Sequence, residues 1–228
     1  MALIQAVAAD QGASGGSFSV TIASSASGSI LVVCILSAGG FSATPTCSDN
    51  RGNTYTLLQL DNTADNSPSA LFGCAAPLSG VTTITIANGG KITAFVCEES
   101  ATSNAFDQSN IAPNQSGTST PTVSITTTTP NQVIYSFCNQ GGGQVTMSQS
   151  SGTALTGTGI TAGQHDNTVA TTSMFGQRQV VTSVGTYSGT VNATLASAYD
   201  SFIVSIVQPS TGGGFTRLFY PQYTRFQI

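Results

Sequence analysis

The chain reads as an all-β protein: an antiparallel β-sandwich over residues 1–208, followed by a C-terminal extended arm, residues 209–228. Three observations predict this. Charged residues make up 6% of the 228, against about a quarter in an ordinary soluble domain, so exposed helices have little material. Thr, Val and Ile, which suit a pleated surface, recur in short runs. Between the runs stand Gly, Asn, Ser and Pro, the residues of turns. The recurrent apolar runs also set the chain apart from disordered segments of similar Ser, Thr and Gly content. Its length suits one sandwich with a sizeable core.

The elements follow in order. Residues 17–22 alternate, with Phe18, Val20 and Ile22 on one face. Residues 30–36 are apolar throughout, as in a central strand covered on both faces, and Gly39-Gly40 is expected to end it. Residues 49–53 form a turn cluster before a strand at 54–60, and a polar loop leads to another strand at 70–74. Strands at 81–86 and 92–97 flank Asn88-Gly89-Gly90, which reads as a hairpin. A polar loop spans 101–120. Strands at 122–126 and 132–138 flank a turn at Pro130-Asn131, and two or three short strands are expected over 144–176. Residues 179–184, 189–195 and 199–207 close the series. In the last, Phe202, Val204 and Ile206 point one way, Ile203 and Val207 the other. About twelve short strands separated by turns make a sandwich pattern.

This order includes an apolar strand, then Cys47-Ser-Asp-Asn-Arg-Gly-Asn-Thr-Tyr-Thr-Leu57, a strand ending Phe72-Gly-Cys-Ala75, and Phe95-Val-Cys-Glu-Glu-Ser100. It is similar to the Ser/Thr-rich, jelly-roll-like sandwich domains of phage virion proteins and bacterial surface proteins. Those carry a D-x-x-G-N-T-Y turn-strand and an E-Y-S-G strand end. The resemblance spans residues 3 to 207 and departs at Glu98-Glu99-Ser100, where the Tyr and the following Gly are missing. It implies a jelly-roll-like sandwich and brings no catalytic motif with it.

Catalysis requires titratable groups gathered in a cleft, and the inventory is thin. The single histidine, His165, precedes Asp166, and neighbours on a strand point opposite ways. No G-x-S-x-G elbow occurs. Glu98 and Glu99 are adjacent, so they too diverge, and bonds to backbone N–H groups at a strand end account for them better than acid/base work. Asp10 and Asp107 cannot be placed against them. Asp49, Asn50 and Asn53 offer oxygens to calcium but lack the spacing and bidentate Glu of an EF-hand; an Asx turn explains the same residues. Asp61, Asn62, Asp65 and Asn66 are a weaker case of the same kind. The glycine clusters open no helix and cradle no phosphate. No cofactor or metal is therefore expected.

Cys34, Cys47, Cys74, Cys97 and Cys138 form no C-x-x-C pair. All but Cys47 lie in apolar runs and read as buried thiols acting as small hydrophobes, with disulfides formed after release as the alternative. Net charge is −4, and the five cations (Arg51, Lys91, Arg178, Arg217, Arg225) are too few and scattered for nucleic acid. The N-terminus lacks a basic region and a long apolar core, so no signal peptide is expected, and no apolar run reaches membrane-spanning length.

Composition changes after Pro209-Ser-Thr-Gly-Gly-Gly214. Residues 215–228 hold five of the 17 aromatics and two of the five cations. Phe215, Arg217, Leu218, Phe219, Tyr220, Tyr223, Arg225 and Phe226 are thus the candidate partner-binding residues, since aromatics and Arg anchor interfaces. The arm is expected to dock on a neighbouring subunit, to fold back as an edge strand, or to remain a disordered end. The prediction is a non-enzymatic structural protein of a phage-type particle, a capsid decoration or tail-associated protein made in the host cytoplasm. Its partners would be other virion proteins and copies of itself, with neither membrane nor direct nucleic acid. A carbohydrate-binding or adhesive module, with a glycan as ligand, is the alternative.

Overall fold

The computed structural model describes residues 2–11, 16–63, 68–75, 77–100 and 105–208. It is all-β, and the described residues form fifteen strands. β1 (Leu3–Asp10), β2 (Phe18–Thr21), β3 (Ile30–Asp49), β4 (Thr56–Asp61), β5 (Ser69–Ala75) and β6 (Thr83–Glu99) make the first sheet, in the order β1-β6-β3-β5-β4 with β2 on β6. The second sheet contains β7 (Phe106–Ala112), β9 (Gln132–Gln140), β11 (Thr153–Ala154), β12 (Gln164–Asn167), β13 (Thr172–Val181) and β15 (Asp200–Val207). Its order is β11-β13-β9-β15-β7, with β12 on β13. A small third sheet runs β10 (Met147–Gln149), β14 (Thr186–Ala193), β8 (Thr122–Thr126). Every strand pair is antiparallel.

The main core lies between the first two sheets. Ile30, Val32, Cys34, Leu36, Phe95 and Cys97 meet Val133, Tyr135, Phe137, Phe202, Val204 and Ile206 there. Each fully buried aliphatic or aromatic side chain contributes about 1.5–3 kcal/mol relative to exposure. Alternate residues of the same strands supply further cores. Leu31, Val33 and Ile35 join Val20, Ile84 and Ile86 on the outer side of the first sheet. Ile134 and Ile203 join Val123 and Ile125 of the third sheet, and Cys138 and Phe175 join Val145, Met147 and Val191. Covering on both faces explains why residues 30–36 read as an unbroken apolar run and why residues 133–138 of β9 and 202–207 of β15 are apolar apart from one serine each.

Two expectations are corrected here. Gly39-Gly40 does not end the strand, and Asn88-Gly89-Gly90 is not a hairpin. β3 and β6 run on together through both sites, Asp49 pairing Ile84 and Ile30 pairing Glu99. The pair turns a corner where its register skips between Ala38 and Phe41. Gly39 (φ 98°), Gly40 (φ 90°) and Asn88 (φ 65°) supply the left-handed backbone, and a Cβ on Gly90 would lie 3.0 Å from the Gly40 carbonyl. Beyond the corner, the far halves of β3 and β6 carry β2 and close the outer core. Such corners let one strand serve two layers. The expected loop over 101–120 also contains β7, an edge strand whose polar sequence hid it.

Both sides of the sandwich are laced. On one, Ala8 N–H donates to the Thr158 carbonyl (2.8 Å) and Thr158 N–H to that of Ala6 (3.1 Å), sealing edge strand β1 with a finger from the other sheet. The finger is Gly157-Thr158-Gly159, and a Cβ on either glycine would strike the carbonyl of Ala6 or Ala8. On the other side, Gln59 Nε2 of β4 donates to the Ser109 carbonyl of β7 (3.1 Å). Covered edges cannot template pairing with another chain.

Candidate functional site

Glu98 and Glu99, the adjacent carboxylates, are both fully buried at the end of β6 and face opposite sides of the sheet. Glu98 accepts from the Ala26 N–H (2.7 Å) and Gln5 Nε2 (2.6 Å), and Gln5 also bonds the backbone of Ala23. Glu99 faces the second sheet. Arg178 of β13 grips it with Nε to one oxygen (2.9 Å) and Nη2 to the other (2.6 Å), while the Tyr135 hydroxyl donates at 2.5 Å. Burial alone would lower the Arg178 pKa, but the carboxylate outweighs it and holds the guanidinium above its usual value. Burial, then the neighbouring Cys97 and the negative charge of Glu99, push the Tyr135 hydroxyl well up, so it remains a donor. This is a strut between the two sheets, its carboxylate closed off from solvent. Arg178 read in the sequence as one scattered cation, and its role emerges only when β13 and β6 face each other.

His165 sits on β12, its Nδ1 2.7 Å from the Gly159 carbonyl and its Nε2 3.5 Å from an Asp10 carboxylate oxygen of β1. A carbonyl can only accept, so Nδ1 carries the proton. Asp166 points elsewhere, accepting from Ser173 Oγ (2.5 Å) and Gln164 Nε2 (2.7 Å). Among the described residues, neither ring nitrogen is bonded to a hydroxyl, the contact by which a base activates a nucleophile. The neighbouring open cavity, about 490 Å³, is lined by Thr146, Met147, Thr161, Gln164, His165 and Asp166. Gln164 is already tied to Met147 N–H and the Val145 carbonyl, both at 2.7 Å.

The Asp49 corner is a fully bonded turn. One Asp49 oxygen accepts from the N–H of Arg51 (2.8 Å) and of Asn53 (3.2 Å), the other from Asn53 Nδ2 (2.7 Å) and the Tyr55 hydroxyl (3.1 Å). The Asn50 side-chain oxygen accepts from Thr82 and Thr83, and that of Asn53 from Leu78. The oxygens that would ligate calcium are therefore occupied as acceptors, and the D-x-x-G-N-T-Y segment acts as a clasp. Burial alone would raise the Asp49 pKa, but these hydrogen bonds hold it below the usual carboxylate range. Asp107 is likewise lowered, bonds from Thr128 and Gln132 overcoming its burial. Asp61 accepts from the Thr63 N–H (2.8 Å); Asp65 and Asn66 lie outside the described residues.

Two outer faces carry rows of hydroxyls. Across β8 and β14, Thr122 pairs Thr190 (3.0 Å), Ser124 pairs Ser188 (2.8 Å) and Thr126 pairs Thr186 (2.9 Å). Val123 and Ile125 point into the core, so these three pairs form the opposite, outer face. On the other outer layer, Ser19 pairs Thr85 (3.0 Å), with Ser48 next in register. All five cysteines are free thiols; Cys34, Cys74, Cys97 and Cys138 are buried and Cys47 is partly exposed. Burial pushes Cys138 up to about 12 and Cys74 to about 11, far from thiolate reactivity at neutral pH.

The predicted anchors Phe215, Arg217, Leu218, Phe219, Tyr220, Tyr223, Arg225 and Phe226 lie outside the described residues. Compared with known protein families, curated proteins and solved structures, the chain matches none.

Proposed function

We propose that the chain is a non-enzymatic structural protein of a phage-type particle, a capsid decoration or tail-associated protein of the jelly-roll-like kind. It attaches through apolar contacts and its aromatic C-terminal arm to other virion proteins and copies of itself. One observation carries the reading: Glu98, Glu99, Arg178, Asp49 and Asp107 are spent on internal struts and clasps, while the outer face of β8 and β14 is paired Ser and Thr hydroxyls. A protein of this build acts by fitting a surface, and repetition on a lattice makes weak contacts effective. The carbohydrate-binding alternative has less support. Tyr135 and Tyr199 are fully buried, and Tyr55 and Tyr187 are half-buried with their hydroxyls bonded to Asp49 and Ser183.

Immunogold electron microscopy of particles released from lysed producing cells tests the proposal. Label should decorate particles regularly with the full chain and vanish from them when residues 209–228 are deleted. Particles left unlabelled by the full chain overturn the particle role; decoration by the truncated chain overturns the arm.

A further inference from the structure

The outer core of the first sheet is unsealed at one end. A groove of about 420 Å³ opens there, lined by Pro45, Cys47, Tyr55, Leu57 and Phe72 together with three threonines and Asn53. Cys47, Tyr55 and Leu57 pack against the buried cluster but keep part of their surface outside it. An apolar mouth leading into a core calls for an apolar cover.

The C-terminal segment leaves the second sheet near the β4–β5 edge of the first, across that edge from this mouth. Val207 N–H donates to the Ala105 carbonyl (3.1 Å) and Gln208 N–H to that of Asn131 (2.8 Å). Phe106, next after Ala105, lies against Gly73, where an added Cβ would be 2.5 Å from its ring. Gly73 pairs with Thr56 and is followed back along β5 by Phe72, which lines the groove, as does Tyr55. Gly73 faces the second sheet and Phe72 the outer core, so exit and groove lie on the two faces of the same sheet edge, formed by β4 and β5. The spacer 209–214 reaches about 20 Å at roughly 3.3 Å per residue, against a layer spacing of about 10 Å, a length that lets residues 215–228 round the edge to the groove. Charge also favours the match: residues 1–208 carry nine acidic and three basic side chains, and residues 215–228 carry two arginines and no acid.

We propose that this groove is the intramolecular seat of residues 215–228 in the free chain, which surrenders them when a particle partner takes the arm. The seat itself follows from the groove and the exit point; only the release step rests on the proposed function.

Cys47 is the readout, because it lines the groove and is the one thiol not buried. The full chain, a chain ending at Gln208, and a full-length variant with Phe219, Tyr220, Tyr223 and Phe226 all changed to Ser are treated with a maleimide, and each cysteine is followed by peptide mass spectrometry. Labelling of Cys47 should rise about tenfold in both altered chains, the effect of a seat held by about 1.4 kcal/mol. The other four thiols should stay protected, which reports an intact fold; where truncation exposes them, the four-serine variant decides alone, and should it expose them too, benzoylphenylalanine at position 219 of the full chain must cross-link to residues 44–57. Equal Cys47 rates in a folded variant, or a cross-link elsewhere, overturn the seat. Protection that fades on dilution assigns the groove to a second copy and overturns the intramolecular reading. Particle attachment lost while Cys47 protection persists refutes the function and leaves the seat standing.

Discussion

Replacing Arg178 with Met removes one half of the strut between the two main sheets. Glu99 has no solvent exposure, and its remaining bond would be the Tyr135 hydroxyl, one donor for a carboxylate that now accepts three hydrogen bonds. Leaving a buried charge without its partner costs about 3–5 kcal/mol, a large share of the roughly 5–15 kcal/mol that keeps a domain folded. At this chain length each kcal/mol lowers the melting temperature by about 2–4 °C, so a fall on the order of 10 °C is expected by calorimetry or circular dichroism. The double variant Glu99→Leu, Arg178→Met removes both charges together. It should recover most of the loss, since an apolar pair of similar volume is often as stable as a buried ion pair. A fall below about 1 kcal/mol in the single variant, or a double variant no better than the single, would show that water reaches the carboxylate and that the strut does not hold the sheets.

Gly157→Ala should drive the 157–159 finger off β1, lowering stability and speeding hydrogen exchange at the Ala8 and Thr158 amides; unchanged exchange at both would refute the close approach. Asp49 and Asp107 have lowered folded-state pKa values, so their contribution to stability is complete above the ordinary carboxylate value of about 4 and drains away as pH falls below it. Asp49→Asn, Asp107→Asn should therefore flatten the acid limb of a stability profile between roughly pH 5 and 2, and an unchanged slope would contradict the bonding described. Ser124→Lys on the outer face should shift stability by no more than about 0.5 kcal/mol yet disrupt regular placement on particles, seen as loss of ordered gold label.

Legibility in the sequence followed the reach of each signal. Strands covered on both faces announced themselves as apolar runs with at most a single serine inside them, and the in-out assignment of Phe202, Val204 and Ile206 against Ile203 needed only a period of two. The corner was misread because Asn88-Gly89-Gly90 offers left-handed backbone, which a reversal and a bend between layers both require; local sequence does not say which. β1 escaped notice because Ala6, Ala8 and Ala9 make a weak alternation, although Ala6 and Ala8 face the main core. The divergence of Glu98 from Glu99 could be foreseen from strand geometry, whereas the Glu99–Arg178 pair joins residues 79 apart. No window of the sequence contains both.

The finger over β1 has a consequence for the order of events at the ribosome. Once β6 is out, β1 can pair along one side, but its other side waits for residues 157–159, some 60 residues later. At about 5–20 residues per second that interval lasts roughly 3–12 s, during which nascent chains on one message expose an open strand to each other. Crowded polysomes would then be the place where this protein aggregates, and a slowed message the condition that makes it worse.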